Sequence, residues 1–176
     1  MSARSLLSDN KQLNKAISLI QLGARLQVLQ AETELPYERL LKLYKEVTGA
    51  SPSKGQLPFS TDWFMTWQPN IHASLFLNIY EYLIKASEID DVEAIVGAYK
   101  LYLEEIQMTG VEPIMSVTRA WRLVRFVDAG MLSTTKCIQC NGNFVTHAYE
   151  LDKSYVCGLC QPPARAGKGR RKGAIH

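Results

Sequence analysis

Long apolar runs are missing from this chain. No window approaches eighteen consecutive apolar residues, so the sequence offers no membrane-spanning helix. Met1 to Asn10 is polar and lacks the apolar stretch of a secretory signal, so the expected compartment is the cytoplasm. The motifs G-x-x-x-x-G-K-S/T, G-x-G-x-x-G and G-x-S-x-G are all absent. No repeat has a convincing period. The pairs Asp90-Asp91 and Glu104-Glu105 read as helix ends, and His72 has no nucleophile motif beside it. These absences point away from an enzyme. Cysteine is scarce, with four in 176 residues, and none precedes position 137.

What is present is ordinary globular material. Hydrophobic residues make up 47% and charged residues 21%, which excludes wholesale disorder. The mass of 19.8 kDa suits one cored domain with a small appendage. Net charge is +3 but unevenly placed. Arg165, Lys168, Arg170, Arg171 and Lys172 fall in the last sixteen residues without an acid. The first 160 residues hold fifteen bases against seventeen acids, a net −2. A near-neutral body with a basic tail suits a polyanionic partner, nucleic acid before membrane. A plain solubilising end is the other reading of such a tail.

Cys137, Cys140, Cys157 and Cys160 form C-x2-C, a sixteen-residue gap, and C-x2-C. Two intervening residues let both sulfurs of a tight turn point at one centre. The gap lets the chain return with a second pair opposite the first. Four thiolates then surround a tetrahedral ion, with Zn–S distances of about 2.3 Å. Structural disulfides do not suit a cytosolic chain. A redox dithiol needs one C-x-x-C, not two in tandem. Four thiolates also suit iron, which spacing leaves open. Zinc is the expected ion, one Zn2+ per chain, in a closed site that builds structure. His147 reads as an exposed strand residue before it reads as a ligand.

The periodicity is helical up to about residue 132. Lys11 to Thr33 reads as a helix, with Gly23 marking a close approach or a break between two helices. Glu34-Leu35 forms a link, and Pro36 opens a helix over Tyr37 to Val47 that Gly49 ends. Leu40, Leu41, Tyr44 and Val47 face inward there. Ala50 to Ser60 is a loop, followed by a turn at Trp63 to Trp67 before Pro69 interrupts. Further helices are predicted over Ile71 to Ala86, from the capping box at Asp90 to about Ile106, and from Pro113 to near Gly130. The last is the candidate buried helix. Its Arg119, Arg122 and Arg125 share a side, where salt bridges are favoured over phosphate contacts. Trp63, Phe64, Trp67, Phe76, Tyr80, Tyr82, Tyr99, Tyr102 and Trp121 fill a core or a subunit interface. Short β-type runs follow at Phe144 to Ala148 and Tyr155-Val156.

The predicted organisation is therefore mainly α. A helical domain spans 1–132, a four-cysteine zinc ribbon 133–161, and a basic flexible tail 162–176. Residues 24–48 resemble a helix-turn-helix, in which Tyr37, Glu38, Arg39 and Lys42 would reach base edges and Lys45 a phosphate. Glu34 stands where that motif usually has glycine. Ordinary helical packing explains the same pattern. A zinc-ribbon adaptor, whose partner makes the DNA contacts, is the rival to direct DNA binding, and a thiol-redox enzyme is a third possibility.

Leu22-Gly23-Ala24-Arg25-Leu26-Gln27, the run Leu40 to Glu46, the string Leu57 to Trp67 (LPFSTDWFMTW), Thr118-Arg119-Ala120-Trp121 and the Cys137 to Pro163 segment carry a likeness. Together they closely resemble the bacterial flagellar transcriptional regulator family FlhC, over roughly Leu13 to Arg165. The resemblance implies a transcription activator that acts only with a partner, FlhD, as a heterohexamer of four FlhD and two FlhC subunits. It implies binding to promoters upstream of flagellar operons, help in recruiting RNA polymerase, and zinc at the four cysteines. The tail is shorter than in the better-known members.

Overall fold

The computed structural model describes residues 5–150, 153–164 and 166. Six helices precede a two-stranded sheet among them: α1 (Leu6–Gln21), α2 (Leu26–Glu32), α3 (Tyr37–Thr48), α4 (Trp67–Ala86), α5 (Asp91–Thr109), α6 (Val117–Asp128), β1 (Leu132–Lys136) and β2 (Asn143–His147). The fold is mainly helical with four clustered cysteines near its C-terminal end. No helix among the described residues is long and apolar enough to cross a membrane.

The continuous helix expected over Lys11 to Thr33 is two helices. The first begins earlier, at Leu6, and the break falls at Gly23. There φ is +82°, a conformation that costs glycine little and a side-chain residue more. The Gly23 N–H donates to the Ile20 carbonyl, and the Ala24 N–H to the Leu19 carbonyl. Both residues of the second pair are fully buried, so this is a glycine-terminated helix end sealed by an apolar contact.

Helix α3 follows the expected span closely. Leu40 and Tyr44 are buried, Leu41 and Val47 half-buried, and Gly49 ends the helix at φ +73°. Helix α3 packs on both α1 and α2. The link between α2 and α3 is fixed by buried Leu35 and by the Thr33 hydroxyl, which donates to the Leu29 carbonyl at 2.7 Å.

Two prolines behave differently from expectation. Pro69 does not interrupt, because it lies in the first turn of α4, where a missing N–H leaves no bond unmade. Pro113 does not open α6. The helix starts at Val117, where the Ser116 hydroxyl accepts from the Arg119 N–H. The Asp90 cap is as read: its carboxylate accepts from the Glu93 N–H at 3.0 Å.

Helix α6 buries one side, with Val117, Ala120, Trp121, Leu123, Val124 and Phe126 in the core. The other side carries the arginine row. Arg125 makes the expected salt bridges, to Glu32 at 2.8 Å, Asp91 at 2.5 Å and Asp128 at 2.8 Å. Glu32 also accepts from the Trp121 indole N–H at 2.6 Å, and Asp91 from the Tyr80 hydroxyl. One cluster thus joins α2, α4, α5 and α6. Arg119 and Arg122 do not share it: Arg119 lies over the Trp63 ring, and Arg122 donates to the Pro58 carbonyl. Of the nine aromatic residues singled out above, Tyr82 is well exposed and the rest are buried or half-buried, so they belong chiefly to the core.

The strands differ most from the reading. The partner of β2 is β1, Leu132–Lys136, in antiparallel register with Leu132 opposite His147 and Lys136 opposite Asn143. Tyr155-Val156 is not a strand; the Tyr155 carbonyl instead accepts from the Ile138 N–H at 3.0 Å. Leu132 and Val145 join the main hydrophobic core, so the sheet packs into the helical body.

Candidate metal centre

The four cysteines sit on two matching turns. The Asn141 N–H donates to the Cys137 carbonyl at 2.9 Å, and the Gln161 N–H to the Cys157 carbonyl at 3.0 Å. Each turn therefore closes four residues after its first cysteine, and the chain then leaves. At the first turn Asn141 takes φ +59°, which asparagine tolerates better than most residues. The Ile138 to Tyr155 bond sets the two turns face to face.

All four sulfurs lie within 4.8 Å of one another. Cys137 Sγ is 3.9 Å from Cys160 Sγ, and Cys140 Sγ is 3.7 Å from Cys157 Sγ. A tetrahedral ion with sulfurs at about 2.3 Å requires sulfur–sulfur edges of about 3.8 Å. The cysteines are free thiols, not disulfides. This donor set can hold a metal ion and is consistent with zinc. His147 is not a member of the cluster.

Backbone N–H groups face two of the four sulfurs. The Cys157 N–H points at Cys137 Sγ at 3.3 Å, and the Cys160 N–H at Cys157 Sγ at 3.4 Å. Burial pushes the Cys137 thiol up, but backbone N–H groups at Cys140, Cys157 and Gln139 outweigh it and bring it down to about 6. Cys160 moves the opposite way, raised by its contact with Cys157 and then by burial. Cys137 and Cys160 are thus drawn toward opposite protonation states. Bound metal removes that conflict by stabilising all four as thiolates.

Helix α4 fixes this centre to the body through one polar stripe. The Trp67 indole N–H donates to the Gly158 carbonyl at 2.8 Å, inside the second cysteine turn. Asn70 Nδ2 donates to the Val145 carbonyl at 2.7 Å and to the Phe64 carbonyl at 2.9 Å. The Ser74 hydroxyl accepts from the Val145 N–H at 2.9 Å, and Asn78 Nδ2 donates to the Asn143 carbonyl at 3.0 Å. The backbone groups along the outer edge of β2 are thus satisfied by side chains. Sequence reading missed these four residues. The available signal was Asn70, Ser74 and Asn78, polar at intervals of four along an otherwise apolar helix.

The other predicted site residues lie elsewhere. Tyr37, Glu38, Arg39, Lys42 and Lys45 are exposed on α3. Arg39 forms a two-pronged pair with Asp9 of α1, at 3.0 and 2.8 Å. Lys42 lies 3.9 Å from Glu46. Arg165, Lys168, Arg170, Arg171 and Lys172 fall outside the described residues.

Comparison with known proteins fits this arrangement. The family model for FlhC, the flagellar transcriptional activator, matches residues 1–173. The flagellar transcriptional regulator FlhC of Verminephrobacter eiseniae is 60% identical over 172 residues, covering 98% of this chain and 93% of that protein. The Gallionella capsiferriformans FlhC is 56% identical over 176 residues, covering 99% and 97%. The Proteus mirabilis FlhC is 53% identical over 175 residues, covering 99% and 91%. Flagellar transcriptional regulators are not an enzyme class. With a family match across nearly its whole length, this chain belongs to the FlhC family of flagellar transcriptional regulators.

Proposed function

We propose that this chain is a DNA-binding subunit of a transcription activator that switches on flagellar operons from the cytoplasm. It works in complex with FlhD, as four FlhD and two copies of this chain, and helps recruit RNA polymerase. One Zn2+ per chain is held by Cys137, Cys140, Cys157 and Cys160, with no coordination position left for a substrate. When bound, zinc supplies a rigid crosslink between the two cysteine turns.

The work divides by segment. The helical part, residues 1–132, meets the partner. The ribbon, 133–161, is held at a fixed angle by α4. The tail, 162–176, follows directly and supplies Arg165, Lys168, Arg170, Arg171 and Lys172 to phosphates. On α3, Tyr37, Glu38, Arg39, Lys42 and Lys45 supply further contacts. The observation that carries this reading is the family match joined to a four-sulfur cluster of tetrahedral dimensions, seated on the body just before a basic tail.

The adaptor reading draws support from α3 itself. Arg39 is already committed to Asp9, and Glu38 would face phosphates with the wrong sign. Metal analysis and photo-crosslinking of the reconstituted complex on promoter DNA separate the two. Zinc at one per chain with crosslinks from this chain to DNA supports direct binding. Crosslinks from FlhD alone would favour the adaptor.

A further inference from the structure

Three arginines differ from the other two described above. Arg39 faces Asp9, and Arg125 faces three acids. Arg25, Arg119 and Arg122 form no ion pair among the described residues. Asp62, the acid nearest in sequence to the loop they hold, pairs with none of them. The arginine row of α6 is thus split between a neutralised end and a cationic one.

The cationic end is built, not loose. Arg25 donates to the Gln56 carbonyl, Gln27 Nε2 to the Gly55 carbonyl at 2.9 Å, and Arg122 Nε to the Pro58 carbonyl at 3.0 Å. These bonds pin the 55–58 loop against α2 and α6. Beside it lies an open cleft of about 340 Å3 walled by Arg25, Arg119, Trp63, Ser60 and Phe59. The Arg119 guanidinium stands 4.2 Å from the Trp63 ring centre, which fixes its direction. Burial lowers its proton affinity, and the nearby Arg25 charge adds to that. Two half-buried like charges without a counter-ion are a cost that an arriving anion removes.

We propose that this cleft is a phosphate site, in which one phosphodiester of bound DNA lies between Arg25 and Arg119. A guanidinium carries five N–H donors, and the loop bond of Arg25 leaves most of them for a ligand. A phosphodiester presents two non-bridging oxygens, so one can face each guanidinium. The DNA-binding reading above supplies such a backbone. Phe59, 76% exposed at the rim, offers an apolar surface to the adjoining sugar. This site rests on the DNA-binding reading above and adds contacts that neither the ribbon, the tail nor α3 provides.

The test uses the reconstituted complex on a promoter fragment across a salt series. Arg119→Gln and Arg25→Gln together should lower the slope of log K against log salt by about 0.9 for the one phosphate lost, and each alone by part of that. Over a fourfold salt range the full loss is about a threefold change in affinity. Ser60→Asp guards against simple misfolding. It keeps an acceptor for the Asp62 N–H, removes neither arginine and places a carboxylate beside both. Its complex should melt at or above the wild-type temperature while the salt slope still falls by about one contact. Unchanged slopes in all these variants overturn the site and leave DNA binding standing. Weakened assembly with FlhD at an unchanged slope reassigns the face to the partner and also overturns it. A wild-type complex that binds no promoter DNA removes the parent reading instead.

Discussion

Trp67 packs so closely on Gly158 that no side chain fits there without a shift. A Cβ added at Gly158 would lie 2.6 Å from Trp67 Cδ1 and 3.1 Å from its Nε1. The indole N–H also donates to the Gly158 carbonyl. The metal turn and the start of α4 meet here, 91 residues apart in sequence.

Gly158→Ala should therefore destabilise the chain by about 1–3 kcal/mol through overpacking. Trp67→Ala removes the obstacle, so Gly158→Ala should cost much less in that background. A double-mutant cycle in urea denaturation measures the difference. Additive costs would mean the two residues do not constrain each other.

Arg125 is the second test. Its removal leaves Glu32 and Asp91 without their cation, and the Glu32 side chain is only 13% exposed. Arg125→Gln should cost about 2–3 kcal/mol, below the fully buried range because the arginine keeps some exposure. Lys42→Gln, which breaks a surface pair, should cost under about 0.5 kcal/mol. Equal melting temperatures for the two variants would contradict this ranking.

Acid should act through His72. Burial lowers its pKa from 6.5, and its Nδ1 lies 2.7 Å from the Tyr102 hydroxyl. A histidine with a depressed folded pKa gives stability that is full above 6.5 and lost as pH falls through that value, because the unfolded chain binds the proton more readily. The gap in unfolding free energy between wild type and His72→Gln should therefore narrow from pH 7.5 to pH 5.5. Comparing the two at each pH cancels acid-driven metal loss.

Asp90 titrates lower. Its burial would raise its pKa, but the Glu93 N–H and the ammonium groups of Lys15 and Lys11 hold it below 3.8. Its contribution is present above 3.8 and lost as pH falls below. Asp90→Asn keeps a cap but not the charge, so its deficit against wild type should shrink between pH 5 and pH 2.5.

Chelation should open residues 133 to 160 and leave the helices largely formed. Hydrogen exchange on the chelated chain should show lost protection at Cys137, Asn141 and Gln161, with α5 and α6 retained. Cys157→Ser should behave likewise with metal present. Retained protection at both cysteine turns after complete metal removal would rule out a structural ion.

The sequence made some of this fold legible and hid the rest for physical reasons. The four cysteines were readable because thiol spacing is itself the chemistry. Gly49 and the Asp90 cap were readable because each acts within one helical turn. Leu132–Lys136 was not, since Leu-Ser-Thr-Thr-Lys has a single large apolar residue and forms a strand only because β2 pairs with it. Pro113 misled because the true start, Ser116, lies three residues later and caps with its own hydroxyl. The stripe of Trp67, Asn70, Ser74 and Asn78 stayed hidden because its partners lie 65 to 91 residues away.

That stripe has a second consequence. A two-stranded ribbon leaves a rim of unused amide and carbonyl groups, the usual template for chain-to-chain β association. Here α4 occupies the rim with its own side chains. A molecule stripped of its ion, and so of its hold on the ribbon, would uncover that template. Metal starvation should thus drive these chains toward insoluble, strand-paired assemblies.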